Sequence, residues 1–233
     1  MSKFDDLKKR CYDANMQLPA LGLVIYTFGN VSEMDRENGV FAIKPSGVSY
    51  DVLTPEDIVI VDLNNNIIEG EMRPSSDTKT HAFLYQQWPE IGGICHTHST
   101  YAVAWAQAQR AIPIMGTTHA DYLTSDIPCA PPMSDELIHG NYEHNTGHQI
   151  KNWFEENDLN PGEVEMTLIA NHGPFTWGKD AAAAVFNSKL LEELARMAYL
   201  ALQINPNAPR LKEALIRKHY DRKHGKDAYY GQD

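Results

Sequence analysis

Two histidines stand at the end of an apolar run in Ile91-Gly-Gly-Ile-Cys-His-Thr-His-Ser99. On a β-strand, residues i and i+2 share a face, so His96 and His98 can converge on one point while Cys95 and Thr97 face away. Two imidazoles on one face suit a transition metal such as zinc, whose catalytic sites take three protein ligands and keep a position open. The spacing alone is a weak signal, because the chain has 10 histidines and H-x-H is a short motif. His172, in the turn Asn171-His-Gly-Pro174 after a second apolar run, could complete a three-histidine set, and Asp77 at a helix start could add an oxygen. His81, His119, His139, His144 and His148 are rival third ligands, and spacing does not choose among them.

Three polar turns carry the groups that hold anions. Gly29 and Asn30 lie in Thr27–Ser32, Lys44, Ser46 and Gly47 in the next turn, and Ser75 and Ser76 in Pro74–Asp77. Backbone N–H groups, hydroxyls and a lysine together make a phosphate cradle, although Ser and Gly are also ordinary turn formers. Asp121, in the polar segment Thr117–Tyr122, is a candidate general base or a turn residue, and Glu143 has the same two readings. Tyr229 and Tyr230 near the C-terminus are either packing rings or proton donors, with an ordinary phenol pKa of about 10. The basic run Arg217–His224 is a solvated helix face or a holder of an anionic substrate.

The elements that must position these groups follow from periodicity. Phe4, Leu7, Cys11, Ala14 and Leu18 mark an opening helix stopped near Pro19. Strands are expected at 21–28, 40–43 and 57–63, with a turn at Asn64–Asn66 into Ile67. A helix at about 78–88 precedes the His96 strand, and another covers 100–108. A short strand is expected at 112–116, then a helix capped by Asn145 or Thr146 with Ile150, Trp153 and Phe154 on one side. Strands at 166–170 and 174–177 flank the His172 turn. Asp180 starts the longest helix, about 181–204, and a last helix covers about 209–223. One α/β domain spanning 1–233, helices covering a mixed or antiparallel sheet, is the economical reading; no G-x-G-x-x-G follows a strand, which argues against a dinucleotide fold.

Composition agrees with a protein that has a real core: of 233 residues, 42% are hydrophobic and 22% charged. A formal charge of -11 argues against nucleic acid, and no apolar run approaches the ~20 residues needed to cross a bilayer. Cys11, Cys95 and Cys129 cannot all pair and have no C-x-x-C spacing, so reduced thiols and a cytoplasmic location are expected. The N-terminus lacks the uninterrupted apolar stretch of a secretory signal.

Taken in order, the segments Thr27–Ser32, Ile43–Val48, Pro74–Thr78, His96-Thr-His98, Gly116–Tyr122, Asn171–Phe175, Lys218–Tyr220 and Ala228–Gln232 resemble the class II aldolase/epimerase family. The resemblance covers nearly the whole chain and is most specific as a set in register. It implies an α/β three-layer α/β/α sandwich around a predominantly antiparallel sheet, and a homotetramer with sites between subunits. It implies that His96, His98, His172 and Asp77 hold Zn2+ or another divalent cation. Gly29, Asn30, Lys44, Ser46, Gly47, Ser75, Ser76 and His219 would bind a phosphorylated ketopentose. Asp121 and Tyr230 would form the acid/base pair, the tyrosine coming from an adjacent subunit, supported by Thr117 and Glu143. Aldolase members carry a glutamate at the position of Asp77, so the aspartate points to the epimerase branch. The activity implied is interconversion of L-ribulose 5-phosphate and D-xylulose 5-phosphate at C4 by retro-aldol cleavage and re-addition. Rival readings are an aldolase that releases the aldehyde, a non-catalytic interaction domain on the same scaffold, and a zinc hydrolase, for which no H-E-x-x-H is present.

Overall fold

The computed structural model describes residues 2–226, 228 and 229. In chain order its elements are α1 (Asp5–Ala20), β1 (Asn30–Asp35), β2 (Val40–Ile43), β3 (Val59–Asp62), β4 (Ile67–Glu69), α2 (Thr78–Gln87), β5 (Gly93–His96) and α3 (Thr100–Gln107). There follow α4 (Thr117–Ala120), β6 (Cys129–Ala130), α5 (Asp135–Ile138), α6 (Tyr142–Glu156), β7 (Met166–Ile169), β8 (Pro174–Gly178), α7 (Ala181–Ile204) and α8 (Glu213–His224). The eight strands form one sheet in the order β4-β3-β2-β1-β5-β8-β7-β6. Every pairing is antiparallel except β6 with β7.

Alternation along the strands divides the sheet into two apolar faces. On one, Phe41, Ile43, Val61, Ile94 and Trp177 pack with Phe83 and Leu84 of α2 and Ile150 and Phe154 of α6. On the other, Val31 and Cys95 meet Leu18 of α1 and Val185 of α7, while Ala42 and Ile60 meet Leu7 and Cys11. The result is helices, sheet and helices in three layers, as the α/β reading expects. Cys95 lies on the face opposite His96, as the period of two requires.

Two glycines set how closely packed elements approach one another. A Cβ on Gly93 would lie 2.2 Å from the Asp180 carbonyl oxygen, so β5 can run against the start of α7 only without a side chain there. Where α2 crosses α6, a Cβ on Gly147 would lie 2.8 Å from the Phe83 ring. Asp180 caps α7 by accepting a bond from the Ala183 N–H at 2.8 Å.

Several expectations are corrected. Residues 21–29 are not a strand: Gly22, Tyr26 and Gly29 have positive φ, and Ile25, Tyr26 and Phe28 are exposed rather than buried. The strand starts at Asn30, inside the segment read as a turn. The run 112–116 makes only an isolated bridge, Ile112 to Ile127. Helix α6 starts at Tyr142, so Asn145 and Thr146 sit within it, bonding to the carbonyls of Leu137 and Tyr142. Helix α8 begins at Glu213, four residues after Pro209. The two-residue strand β6 is too short to show a period.

Candidate active site

The first layer of the site is the pairing of β1 with β5, which sets Asn30 opposite His96. Both project to the face that carries α2. Gly29, immediately before, has φ +80° and its Cα sits so near β5 that a Cβ would lie 3.0 Å from the His96 carbonyl oxygen. After β5 the chain carries His98 back toward His96, with their Nε2 atoms 3.1 Å apart. The turn from β7 to β8 delivers His172, whose ring centroid is 4.7 Å from that of His96 and 5.3 Å from that of His98. One ligand atom from each of the three imidazoles lies within 4.8 Å of the others.

The tautomer and charge of these rings suit metal ligation. His96 Nδ1 lies 2.9 Å from the Pro174 carbonyl oxygen, which can only accept, so the proton is on Nδ1 and Nε2 presents its lone pair. Phe175 stacks on the same ring, with centroids 4.1 Å apart. Burial, then the adjoining His98, pushes His96 down to about 3. Burial, then His96, does the same to His172, also to about 3, and burial lowers His98. All three are therefore neutral near pH 7, the form that ligates. Two nitrogens on a tetrahedral zinc, each about 2.0–2.1 Å from it, stand roughly 3.3 Å apart, close to the His96–His98 separation. The donor set fits a divalent metal. Asp77, at the start of α2, lines the same cleft and is bonded by Asn30, whose Nδ2 donates to its Oδ2 at 2.7 Å, but its carboxylate is not part of the three-imidazole cluster.

The anion turns meet the histidines in one cleft of about 380 Å³. Gly29, Asn30, Lys44, Ser46, Gly47, Ser75 and Ser76 all line it, although they come from turns up to 47 positions apart. Two reciprocal bonds clamp the second and third turns together: the Ser46 N–H to the Arg73 carbonyl at 2.9 Å and the Ser75 N–H to the Lys44 carbonyl at 3.0 Å. Lys44 is buried, its Nζ donating to the Val48 carbonyl at 2.6 Å, and burial lowers its amine to about 8. Glu143 lines the cleft as well. So do Tyr142, whose hydroxyl is 3.4 Å from His172 Nδ1, and Thr27 and Phe28. Tyr142 had no signal beyond standing next to Glu143.

Other expected residues gather elsewhere. Asp121, at the end of α4, accepts bonds from His219 Nδ1 at 2.9 Å and from Arg222 at 2.8 and 2.9 Å, both on α8. Burial raises its carboxyl, but the His219 and Arg222 bonds and the Lys223 charge outweigh that and hold it below the usual carboxylate range. Thr117 opens the same α4 turn. Among the described residues, Asp121, Thr117 and His219 do not line the histidine cleft. Tyr230 lies outside the described residues. Of the rival histidines, His81 is buried behind the cleft on α2 and His119 is buried in α4, while His144 and His148 pack on Phe83. None joins the three-imidazole cluster.

The model of the "Class II Aldolase and Adducin N-terminal domain" matches residues 9–199. A protein of Salmonella paratyphi A named "L-ribulose-5-phosphate 4-epimerase UlaF" is 52% identical over 226 residues, 97% of this chain and 98% of that one. A Salmonella typhi protein of the same name matches to the same extent. Among solved structures, an L-fuculose 1-phosphate aldolase superposes with a TM-score of 0.77 at 26% identity, covering 95% of this chain and 97% of that one. The L-fuculose-1-phosphate aldolase of Thermus thermophilus gives 0.67 at 24% identity, covering 88% and 98%. With its histidine cleft, its sheet order and these matches along the same residues, the chain belongs to the class II aldolase and adducin N-terminal domain family.

Proposed function

We propose that this chain is a single-domain, cytoplasmic, metal-dependent epimerase that interconverts L-ribulose 5-phosphate and D-xylulose 5-phosphate at C4. The observation that carries this reading is the meeting of three neutral imidazoles and the phosphate-type turns in one cleft. The 52% identity to proteins named for that activity supports it. The C4 hydrogen is not adjacent to the C2 carbonyl and is not acidic enough for simple removal. Cleavage of the C3–C4 bond avoids that problem, giving a dihydroxyacetone enediolate and glycolaldehyde phosphate. Rotation of the aldehyde and re-addition to its other face inverts C4.

His96, His98 and His172, with Asp77, would hold the divalent cation, and three imidazoles with a carboxylate suit zinc. When bound, the cation supplies Lewis-acid stabilisation of the negative charge on the three-carbon fragment's oxygens, a contribution of several kcal/mol. Ser46, Gly47, Ser75, Ser76 and Lys44 would grip the phosphate of the two-carbon fragment, so that it turns and re-adds before it escapes. The two epimers present the C4 hydroxyl on opposite sides, which calls for two proton-transfer groups that exchange duties with direction. Asp121 and Tyr230 are those groups in this reading, with Thr117, His219 and Glu143 around them. Because Asp121 gathers with α8 rather than in its own chain's cleft, the reading requires an oligomer, here a homotetramer, in which one subunit's Asp121 cluster faces the cleft of another.

Asp77 weighs against the aldolase alternative, since its short carboxylate is already engaged by Asn30. Purified, metal-quantified protein given L-ribulose 5-phosphate should yield D-xylulose 5-phosphate on chromatography. Accumulation of dihydroxyacetone and glycolaldehyde phosphate instead would establish the aldolase.

A further inference from the structure

Behind the cleft, two rungs join β1 to α2. Asn30 and Ser32 stand two apart on the strand, about 6.8 Å along one face. Asp77 and His81 stand four apart at the start of α2, about 6 Å along its axis. The near-equal spacing lets Asn30 reach Asp77 at 2.7 Å while Ser32 Oγ reaches His81 Nδ1 at 2.7 Å. Ser32 Oγ is also 2.8 Å from the hydroxyl of Tyr85, one turn further along the helix.

Proton accounting fixes the direction of this relay. The Tyr85 ring is fully buried, and among the described residues its hydroxyl meets only Ser32. A buried phenol proton needs an acceptor, so Tyr85 donates to Ser32, and the Ser32 proton goes to His81 Nδ1. His81 Nδ1 is therefore an acceptor, and the ring carries its proton on Nε2. Among the described residues that buried Nε2 has no protein partner, and neither has Asn30 Oδ1 on the adjoining rung. One is a donor and the other an acceptor, and burying either one unpaired is costly.

We infer that one buried water joins His81 Nε2–H to Asn30 Oδ1, which makes His81 a positioning residue for the metal site. An amide whose oxygen is held in this way must turn its NH2 to Asp77. Asp77 Oδ2 is then occupied, and its other oxygen is left for the cation. The relay Tyr85–Ser32–His81–water–Asn30 thus orients a candidate ligand that, of its members, Asn30 alone touches. The last link rests on the metal reading above; the His81–Asn30 link does not.

The test is zinc affinity, measured on the full chain by competition with a chromophoric chelator. His81→Phe and Tyr85→Phe should each weaken zinc binding roughly tenfold, the scale for groups that orient ligands. His81→Phe should have no further effect in an Asn30→Ala background. A long-range 1H–15N spectrum of the zinc-free protein should show His81 protonated on Nε2. Unchanged affinity in folded variants, additive effects of His81→Phe and Asn30→Ala, or an Nδ1-protonated His81 would each overturn the inference. If His81→Phe does not fold, Tyr85→Phe, which loses only a hydroxyl, decides the matter. If the wild-type chain binds no zinc, the metal reading fails, and the same double-variant cycle read on the urea midpoint still decides the His81–Asn30 link.

Discussion

Lys44 carries a charge that changes just above neutral pH. Burial brings its amine down to about 8, against an ordinary value of about 10.4 in an unfolded chain. Between those values the unfolded chain holds a proton that the folded chain does not, so this group adds to stability as pH rises through the window. In the proposed function its effect on phosphate binding has the opposite sign, because only the protonated amine would attract the anion. The KM for the phosphorylated substrate is expected to rise above pH 8. Lys44→Gln should raise KM roughly 10- to 100-fold, since a bond to a charged group contributes about 1.5–3 kcal/mol, and should flatten that rise; steady-state kinetics from pH 6.5 to 9.5 checks both. His98→Asn is expected to lower bound metal and turnover together, measured by elemental analysis beside the rate. Zinc content and rate equal to wild type would remove His98 from the ligand set. The pair His96 and His98 was legible because a strand's period of two is written directly in residue spacing. His172 was one of six candidates in sequence, and only the pairing of β5 with β8 selects it.

At the scale of elements, the site depends on close approaches that hydropathy does not report. Gly93 reads in sequence as a gap in an apolar run, yet it is where β5 meets the Asp180 backbone. Gly93→Ala would drive a methyl into main-chain atoms that cannot rotate away. It is expected to destabilise the fold by at least about 1–3 kcal/mol, the range for overpacking, read as a lower urea midpoint. Asp180→Ala, which removes only the α7 cap, should cost about 1 kcal/mol and leave kcat unchanged at room temperature. The expected strand over 21–28 failed for a related reason. Its apolar residues Ile25, Tyr26 and Phe28 are exposed beside the cleft, so their hydrophobicity does not mark a buried strand. The start of α7 was read well because Asp180 caps it with a side-chain bond, whereas the expected starts of α6 and α8 missed by several residues.

For the whole molecule, the candidate groups fall into two clusters within one chain: the histidine cleft over β1, β5 and β8, and Asp121 with α8. Sequence order could name members of both but could not show that the chain keeps them apart. If the working site is composite, His98→Asn and Asp121→Asn proteins should each be nearly inactive, yet regain activity when unfolded together and refolded as mixed oligomers. Separately refolded and then mixed, they should stay inactive; the same result after co-refolding would contradict a shared site. No helix among the described residues is long and apolar enough to cross a membrane. Exposed apolar side chains along α7, including Phe186, Met197 and Leu200, offer surface for such an assembly.

The most direct test follows the hydrogen on C4. The metal-loaded protein is incubated with L-ribulose 5-phosphate in D2O, and the product is examined by proton NMR. Cleavage and re-addition between C3 and C4 never breaks the C4–H bond, so the account predicts D-xylulose 5-phosphate with no deuterium at C4. Deuterium at that carbon, or metal-bound protein that forms no xylulose phosphate at all, would contradict it.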